Sequence, residues 1–350
     1  MLFNLYNLIV NFTNQDPVVT PGFIFTKSEA WRSERSPIVG LNKYNLLNSI
    51  TYKSTVLSRD QLGSYLAGLI EGDGSITVPK SERNAKGKLL YPRIKITFAL
   101  KDAPLAERIL KVLGRGSLEY PKIGNYLNLL IQDLATLYKL TVILNGKMRT
   151  PKIEALYRLI EWFNKRTSEK EKLMWMGLDT SDLDSNPWLA GFLDADGNFY
   201  CNFSLNKKGI AKSIKYSMRI SQRAVYINKG IENITDNSFL HIMNKIGHFL
   251  DVSKVNFIQR IRSNFIEKAY EVKTVKRGSC EKLINYLLKY PLYSSKYQDF
   301  LCWATISKMN KLRTYKTLEG TRELINLKSK MNSLRTEFDW KHLDKFYTFD

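Results

Sequence analysis

Residues Leu66–Gly74 read LAGLIEGDG, and residues Leu189–Gly197 read LAGFLDADG. The two nonamers agree at their first three and last two positions and differ conservatively between. Ser58 stands three residues before Gln61, a capping-box spacing, and Ser185-Asn186-Pro187 offers a cap followed by proline at the first helical position. After the nonamers, Ser75–Val78 and Asn198–Asn206 alternate polar with apolar residues. Each nonamer is therefore predicted to end a helix and open a strand.

Ala67-Gly68 and Ala190-Gly191 give each helix a small-residue patch on which two backbones can approach closely. Each helix then terminates at Asp-Gly. An acid in the last turn opposes the helix macrodipole, and two such acids on touching helices repel each other. That arrangement makes sense if a cation is held between or beside them, and a few oxygen ligands suit Mg²⁺.

On these nonamers the chain resembles the LAGLIDADG homing endonuclease family in its double-motif, single-chain form. The likeness covers both motifs, 123 residues apart at Asp73 and Asp196, and the pattern following each, over about residues 58–345. It implies an intron-encoded, site-specific endonuclease that hydrolyses double-stranded DNA with Mg²⁺, Mn²⁺ substituting. Asp73 and Asp196 would be the catalytic metal ligands, with Gly72 and Ala195 lending backbone carbonyls. Glu71 and Asp194, at the sixth motif position, are read as structural.

Lys+Arg 54 against Asp+Glu 33 gives a net charge of +21 and a pI near 9.7, which point to a polyanionic partner. No run of 18 apolar residues is present, so no membrane span is expected. The three cysteines lack CxxC spacing, which disfavours zinc and disulfide frameworks. His241, His248 and His342 have no acid-rich metal signature around them, leaving carboxylates to carry the chemistry. Abundant Asn, Lys, Ile and Tyr have AT-rich codons, in line with an organellar and, here, mitochondrial origin.

Residues 1–57 show no long periodicity and are read as a loosely ordered leader. Residues 58–165 form the first half-domain, 166–187 a polar linker, and 188–350 the second half-domain with a C-terminal extension. In Arg93–Lys101, Ile94, Ile96, Phe98 and Leu100 take one face, and Arg93, Lys95, Thr97 and Lys101 the other. In the second half, Lys215, Ser217, Arg219, Ser221 and Arg223 oppose Ile214, Tyr216, Met218 and Ile220. Either basic face could simply be solvated, but beside the motifs it reads as a DNA-facing sheet. The resulting fold is α+β: two pseudo-symmetric αββαββα half-domains packed through paired motif helices, forming a DNA-binding saddle. One chain carries both motifs, so a monomer is expected.

The resemblance also implies supporting residues. A polar residue ending the second strand orders water: Gln222 fills that place in the second half and Asp102 in the first, where it also reads as a helix cap. A lysine ending a later strand assists: Lys276 fits, with Gln132 opposite it. Lys147 and Lys296, before the last helix of each half, would contact phosphate. The alternative reading is an intron maturase that binds its host RNA, alone or as a second activity. Loss of a motif acid would favour it, and both acids are present. A non-cleaving DNA-binding regulator is the third.

Overall fold

The computed structural model describes residues 59–226, 237–261 and 266–348. The assigned leader and Ser58 lie outside the described residues. The first motif ends helix α1 (Arg59–Asp73) and Gly74 opens β1 (Gly74–Thr77). There follow β2 (Arg93–Ala99), α2 (Ala103–Leu113), β3 (Ser117–Glu119), β4 (Tyr126–Ile131), α3 (Leu134–Leu144) and α4 (Ile153–Asn164). The second motif ends α5 (Trp188–Asp196) and opens β5 (Gly197–Leu205). Then come β6 (Ala211–Arg223), α6 (Leu240–Phe249), β7 (Asn256–Ile261), β8 (Ile266–Lys273), α7 (Arg277–Lys289), α8 (Lys296–Leu312) and α9 (Leu318–Ser329). Each half thus carries the expected αββαββα order, followed by one further helix in the first half and two in the second.

The two sheets are antiparallel and share one strand order, β1-β2-β4-β3 and β5-β6-β8-β7. Their registers correspond: Gly74 pairs with Ile96, and Gly197 with Ile220. Alternation divides each sheet between core and solvent. Ile94, Ile96 and Phe98 are buried with Leu105, Ile109, Leu137 and Leu140 of the covering helices, while Arg93 stays outside. Local signals set several ends. Asp133 caps α3 by accepting from the Thr136 amide at 3.0 Å, and Asn186 Oδ1 accepts from the Trp188 amide at 3.0 Å. Gly146, φ +79°, lets the chain turn away after α3.

Two strand ends differ from expectation. β2 stops at Ala99, because Leu100–Asp102 tighten into a 3₁₀ turn, which leaves Leu100 exposed and takes Lys101 off the sheet. β8 ends at Lys273, because Thr274 turns its hydroxyl to the Met218 amide and the chain enters α7 at Arg277.

Candidate active site

The site is built on the contact between α1 and α5. A Cβ on Gly68 would lie 2.0 Å from the Trp188 carbonyl oxygen, and one on Gly191 2.0 Å from that of Tyr65. Gly72 meets Ala195 just as closely, at 2.2 Å from its Cβ. Only glycine permits this approach. The residue preceding each nonamer then crosses to the other half. The Tyr65 hydroxyl donates to Asp194 Oδ2 at 2.7 Å, and Trp188 Nε1 donates to Glu71 Oε2 at 2.6 Å. Both acceptors are buried, and burial is the main reason their carboxyls sit above the ordinary range. Each also anchors a turn of its own half. Glu71 accepts from the Arg149 and Thr150 amides at 2.9 and 2.6 Å, and Asp194 from the Tyr293 and Ser294 amides at 2.7 and 3.1 Å. The sixth-position acids are thus structural partners, as read from the sequence.

Those turns deliver two lysines to the helix ends. Lys152 Nζ donates to the carbonyls of Ile70, Gly72 and Gly74 at 3.1, 3.0 and 2.8 Å. Lys296 Nζ donates to those of Leu193 and Ala195. A cation at a helix C-terminus satisfies orphan carbonyls and opposes the dipole. The motif glycines do not act as left-handed caps: Gly197 has φ −72°. They are needed for space, since a Cβ on Gly74 or Gly197 would lie 2.6 Å from its own helix backbone. Lys152 was missed in the sequence. It lies 80 residues from the carbonyl of Gly72 that it caps, and only the matching turns reveal it as the counterpart of Lys296.

At the helix ends Asp73 and Asp196 come within electrostatic reach of each other. Asp196 is pushed up to about 6, first by desolvation and then by the Asp73 charge, with Lys296, Lys152 and Arg223 pulling the other way. Asp73 is also raised, chiefly by desolvation, with the two lysines opposing. Desolvation lowers Lys152 to about 8 against the pull of Glu71, Asp196 and Asp73. Gln222 donates through Nε2 to Asp196 Oδ2. Two desolvated carboxylates, one of them raised further by the charge of the other, fit a divalent cation, whose charge would reverse that cost. The Gly72 and Ala195 carbonyls adjoin them, each using one lone pair on a lysine.

Other expected site residues fall elsewhere. Sheet register matches Gln222 to Phe98, not Asp102. Asp102 is buried and accepts from the Ser295 amide at 2.6 Å, so its side chain caps the start of α8 in the other half, not its own helix. Lys276 is the N-cap of α7 and exposed. It lies four residues past Val272, the residue level with Gly197 through Ile220, and beyond the end of β8, which runs in the same direction as β5, away from Asp196. The register also aligns it with Asp133, not Gln132. Lys147 does not match Lys296: it pairs with Asp60 at 2.5 Å, at the start of α1. Lys101 stands 5.9 Å from the Phe338 ring, among residues of the C-terminal segment.

Arg93, Lys215, Arg219 and Arg223 are exposed, and Lys95 is half-buried, on the solvent faces of β2 and β6. Across from them on β5, Asn198 opposes Arg219, Tyr200 opposes Ser217, and Asn202 opposes Lys215. A groove of about 640 Å³ opens among Asn198, Tyr200, Lys215, Arg219 and Arg277. Hydrogen-bonding tips and cations share this surface, a mixture suited to base edges and phosphates.

A family model described as LAGLIDADG endonuclease matches residues 66–163 and 189–307. The chain belongs to this family. A Saccharomyces cerevisiae protein described as intron-encoded DNA endonuclease aI3 is 35% identical, covering 95% of this chain and 82% of its own. A cox1 intron-2 protein of Schizosaccharomyces pombe is 29% identical over 69% of this chain and 64% of its own. A yeast protein described as RNA maturase bI4 matches at 29% identity over 41% of this chain and 20% of its own. Among solved structures, the I-LtrWI homing endonuclease bound to target DNA superposes with a TM-score of 0.58 over 80% of this chain and 100% of that one, at 19% identity. I-SmaMI bound to an uncleaved DNA target with calcium gives 0.53 over 77% and 98%, at 20% identity. These structural likenesses are of fold.

Proposed function

We propose that this chain is a site-specific endonuclease that hydrolyses both strands of a DNA duplex with a divalent cation. The observation that carries the reading is the meeting of Asp73 and Asp196 at the ends of two interlocked helices, between two basic sheet faces. Asp73 and Asp196 would hold the cation, Mg²⁺ with Mn²⁺ as a substitute, assisted by the carbonyls of Gly72 and Ala195. When bound, the cation supplies an activated water and charge stabilisation at the phosphate. Gln222 fixes the Asp196 carboxylate and presents an amide to adjacent water. Lys152 and Lys296 hold the helix ends and set positive charge beside the reacting phosphates. Lys152, poised near 8, can hold or release a proton at neutral pH. Arg93, Lys95, Lys215, Arg219 and Arg223 lie along the duplex. Lys101, Lys147 and Lys276, outside the centre, are left as phosphate contacts.

The halves are not equivalent. Gln222 and Arg223 stand at Asp196, where the register places Phe98 and Ala99 in the first half. The chain acts as a monomer and is encoded within a mitochondrial intron, a reading supported by relatives described as intron-encoded. Binding of the host intron RNA remains the second reading, favoured by the partial maturase match. The test is cleavage of a mapped target with Mg²⁺ by Asp73→Asn and Asp196→Asn, with gel shift alongside. Duplex binding without double-strand cleavage is expected of both. Full double-strand cleavage by either would overturn the assignment.

A further inference from the structure

The family model stops at residue 307, and the chain continues through the end of α8, α9 and the segment after it. This extension is fastened to the outer edge of the second sheet. The Ala211 amide donates to Thr321 Oγ1 at 2.9 Å, and that hydroxyl donates to the Tyr315 carbonyl at 2.9 Å. Further along, Asn332 Nδ2 donates to the Phe199 carbonyl at 2.9 Å, and Asn198 Nδ2 donates to Asn332 Oδ1 at 3.2 Å. Between these points, Lys328 Nζ donates to Asn202 Oδ1 at 2.8 Å and stands 5.0 Å from the Phe203 ring.

Asn202 and Asn198 lie opposite Lys215 and Arg219 on the basic face. Residues 328–332 therefore run along β5 at the level of that face. Lys328 is held there by an amide and a ring, and among the described residues no carboxylate pairs with it. Neutral partners fix its position without neutralising its charge. An isolated lysine would not need such placement to serve as a solubilising group. In the first half, edge strand β1 is followed by no equivalent of α9 among the described residues, because α4 leads into the linker.

We propose that the C-terminal extension is an added wall of the DNA-binding surface, with Lys328 as a phosphate contact made by the second half alone. The inference rests on the reading that the basic sheet faces hold duplex DNA. It implies that the half-site under the second sheet is gripped across a greater width than the other.

The test is the salt dependence of duplex binding for the full chain, Lys328→Gln and Lys328→Glu, with phosphate ethylation interference and thermal unfolding on each. Loss of one phosphate contact should flatten the slope of log K against log salt by about 0.9. Interference should vanish at one backbone position on the second-half side, with the melting temperature nearly unchanged. Lys328→Glu should bind more weakly than Lys328→Gln at low salt. A wild-type slope and wild-type interference pattern in both variants would overturn the inference and leave the endonuclease reading intact. A wild-type chain with no salt-dependent duplex binding would sink that reading itself. Weakened host-intron RNA binding beside an unchanged duplex slope would assign the wall to RNA and overturn the proposal.

Discussion

At the scale of single residues, the site is a problem of charge. Asp196 is pushed up to about 6 by desolvation and by Asp73. A raised folded value means that the native chain holds this proton more tightly than the unfolded chain. Stability is therefore lost as pH rises from the unfolded value near 4 to about 6. Asp196→Asn should remove that loss and raise the melting temperature of the cation-free protein at pH 7. The gain should be up to about 2 kcal/mol, since one unit corresponds to about 1.4 kcal/mol and the side chain keeps partial solvent access. The difference from wild type should shrink toward pH 4, which thermal unfolding in chelator would check. The same proton competes with the cation. At sub-saturating Mg²⁺, cleavage should fall as pH drops through about 6, and saturating Mg²⁺ should move this limb to lower pH. Lys152 adds the opposite limb. If its protonated form is required, activity should decline above about pH 8, and Lys152→Met should cleave slowly and lose that limb. A profile unchanged by Lys152→Met would separate the lysine from the chemistry and leave it as a helix cap only.

At the scale of elements, α1 and α5 show what the sequence made legible. Small residues, terminal acids and the following alternation are local signals, so the helix pair and both helix-to-strand junctions were readable. The crossed bonds Tyr65–Asp194 and Trp188–Glu71 span 129 and 117 residues, and Asp102 reaches Ser295 over 193. No local pattern carries such information, which is why Lys152 was missed and Asp102, Lys147 and Lys276 were placed by analogy of position. Register was equally hidden: the pairing of Gly197 with Ile220 decides that Gln222 reaches the centre and Lys276 does not. The tight contact makes two firm expectations. Gly68→Ala or Gly191→Ala would drive a methyl into a carbonyl oxygen, so even this smallest change should cost at least about 1–3 kcal/mol. It should also depress cleavage more than binding, because a displacement of about 1 Å can cost roughly a hundredfold in rate. Trp188→Phe keeps an aromatic ring but removes part of a fully buried side chain and strips a donor from buried Glu71, which should cost at least about 1–3 kcal/mol by thermal unfolding. Stability unchanged by Gly68→Ala would mean that the helices do not meet as described.

At the scale of the whole molecule, the chain carries a net charge of +21 and presents a sheet surface with exposed cations in each half, the two sheets sharing one strand order. The surface is matched in topology but not in reach. β6 spans 13 residues against seven in β2, and β5 nine against four in β1. Both motifs belong to one chain, so nothing in the centre waits for a second copy, and sedimentation of the free protein should show a monomer. Binding should weaken steeply with salt as phosphate contacts displace counterions, by roughly 10³–10⁵ between 50 and 200 mM for six to ten contacts. Within that common behaviour the residues should divide. Arg93 and Arg223 flank the two ends of their strands, whereas Arg219 shares the face with Asn198 and lies 3.7 Å from Glu271. A guanidinium oriented by a carboxylate can be aimed at a base edge. Arg219→Ala should therefore relax specificity at one target position by about 1–3 kcal/mol. Arg93→Ala should instead weaken all sequences alike and reduce the salt slope by about one contact. Selection of cleavable targets from a randomised site, read beside the salt slopes, distinguishes the two. Uniform loss from Arg219→Ala would make it a phosphate contact, and base reading on the second sheet would then fall to the Asn198, Tyr200 and Asn202 side chains of β5.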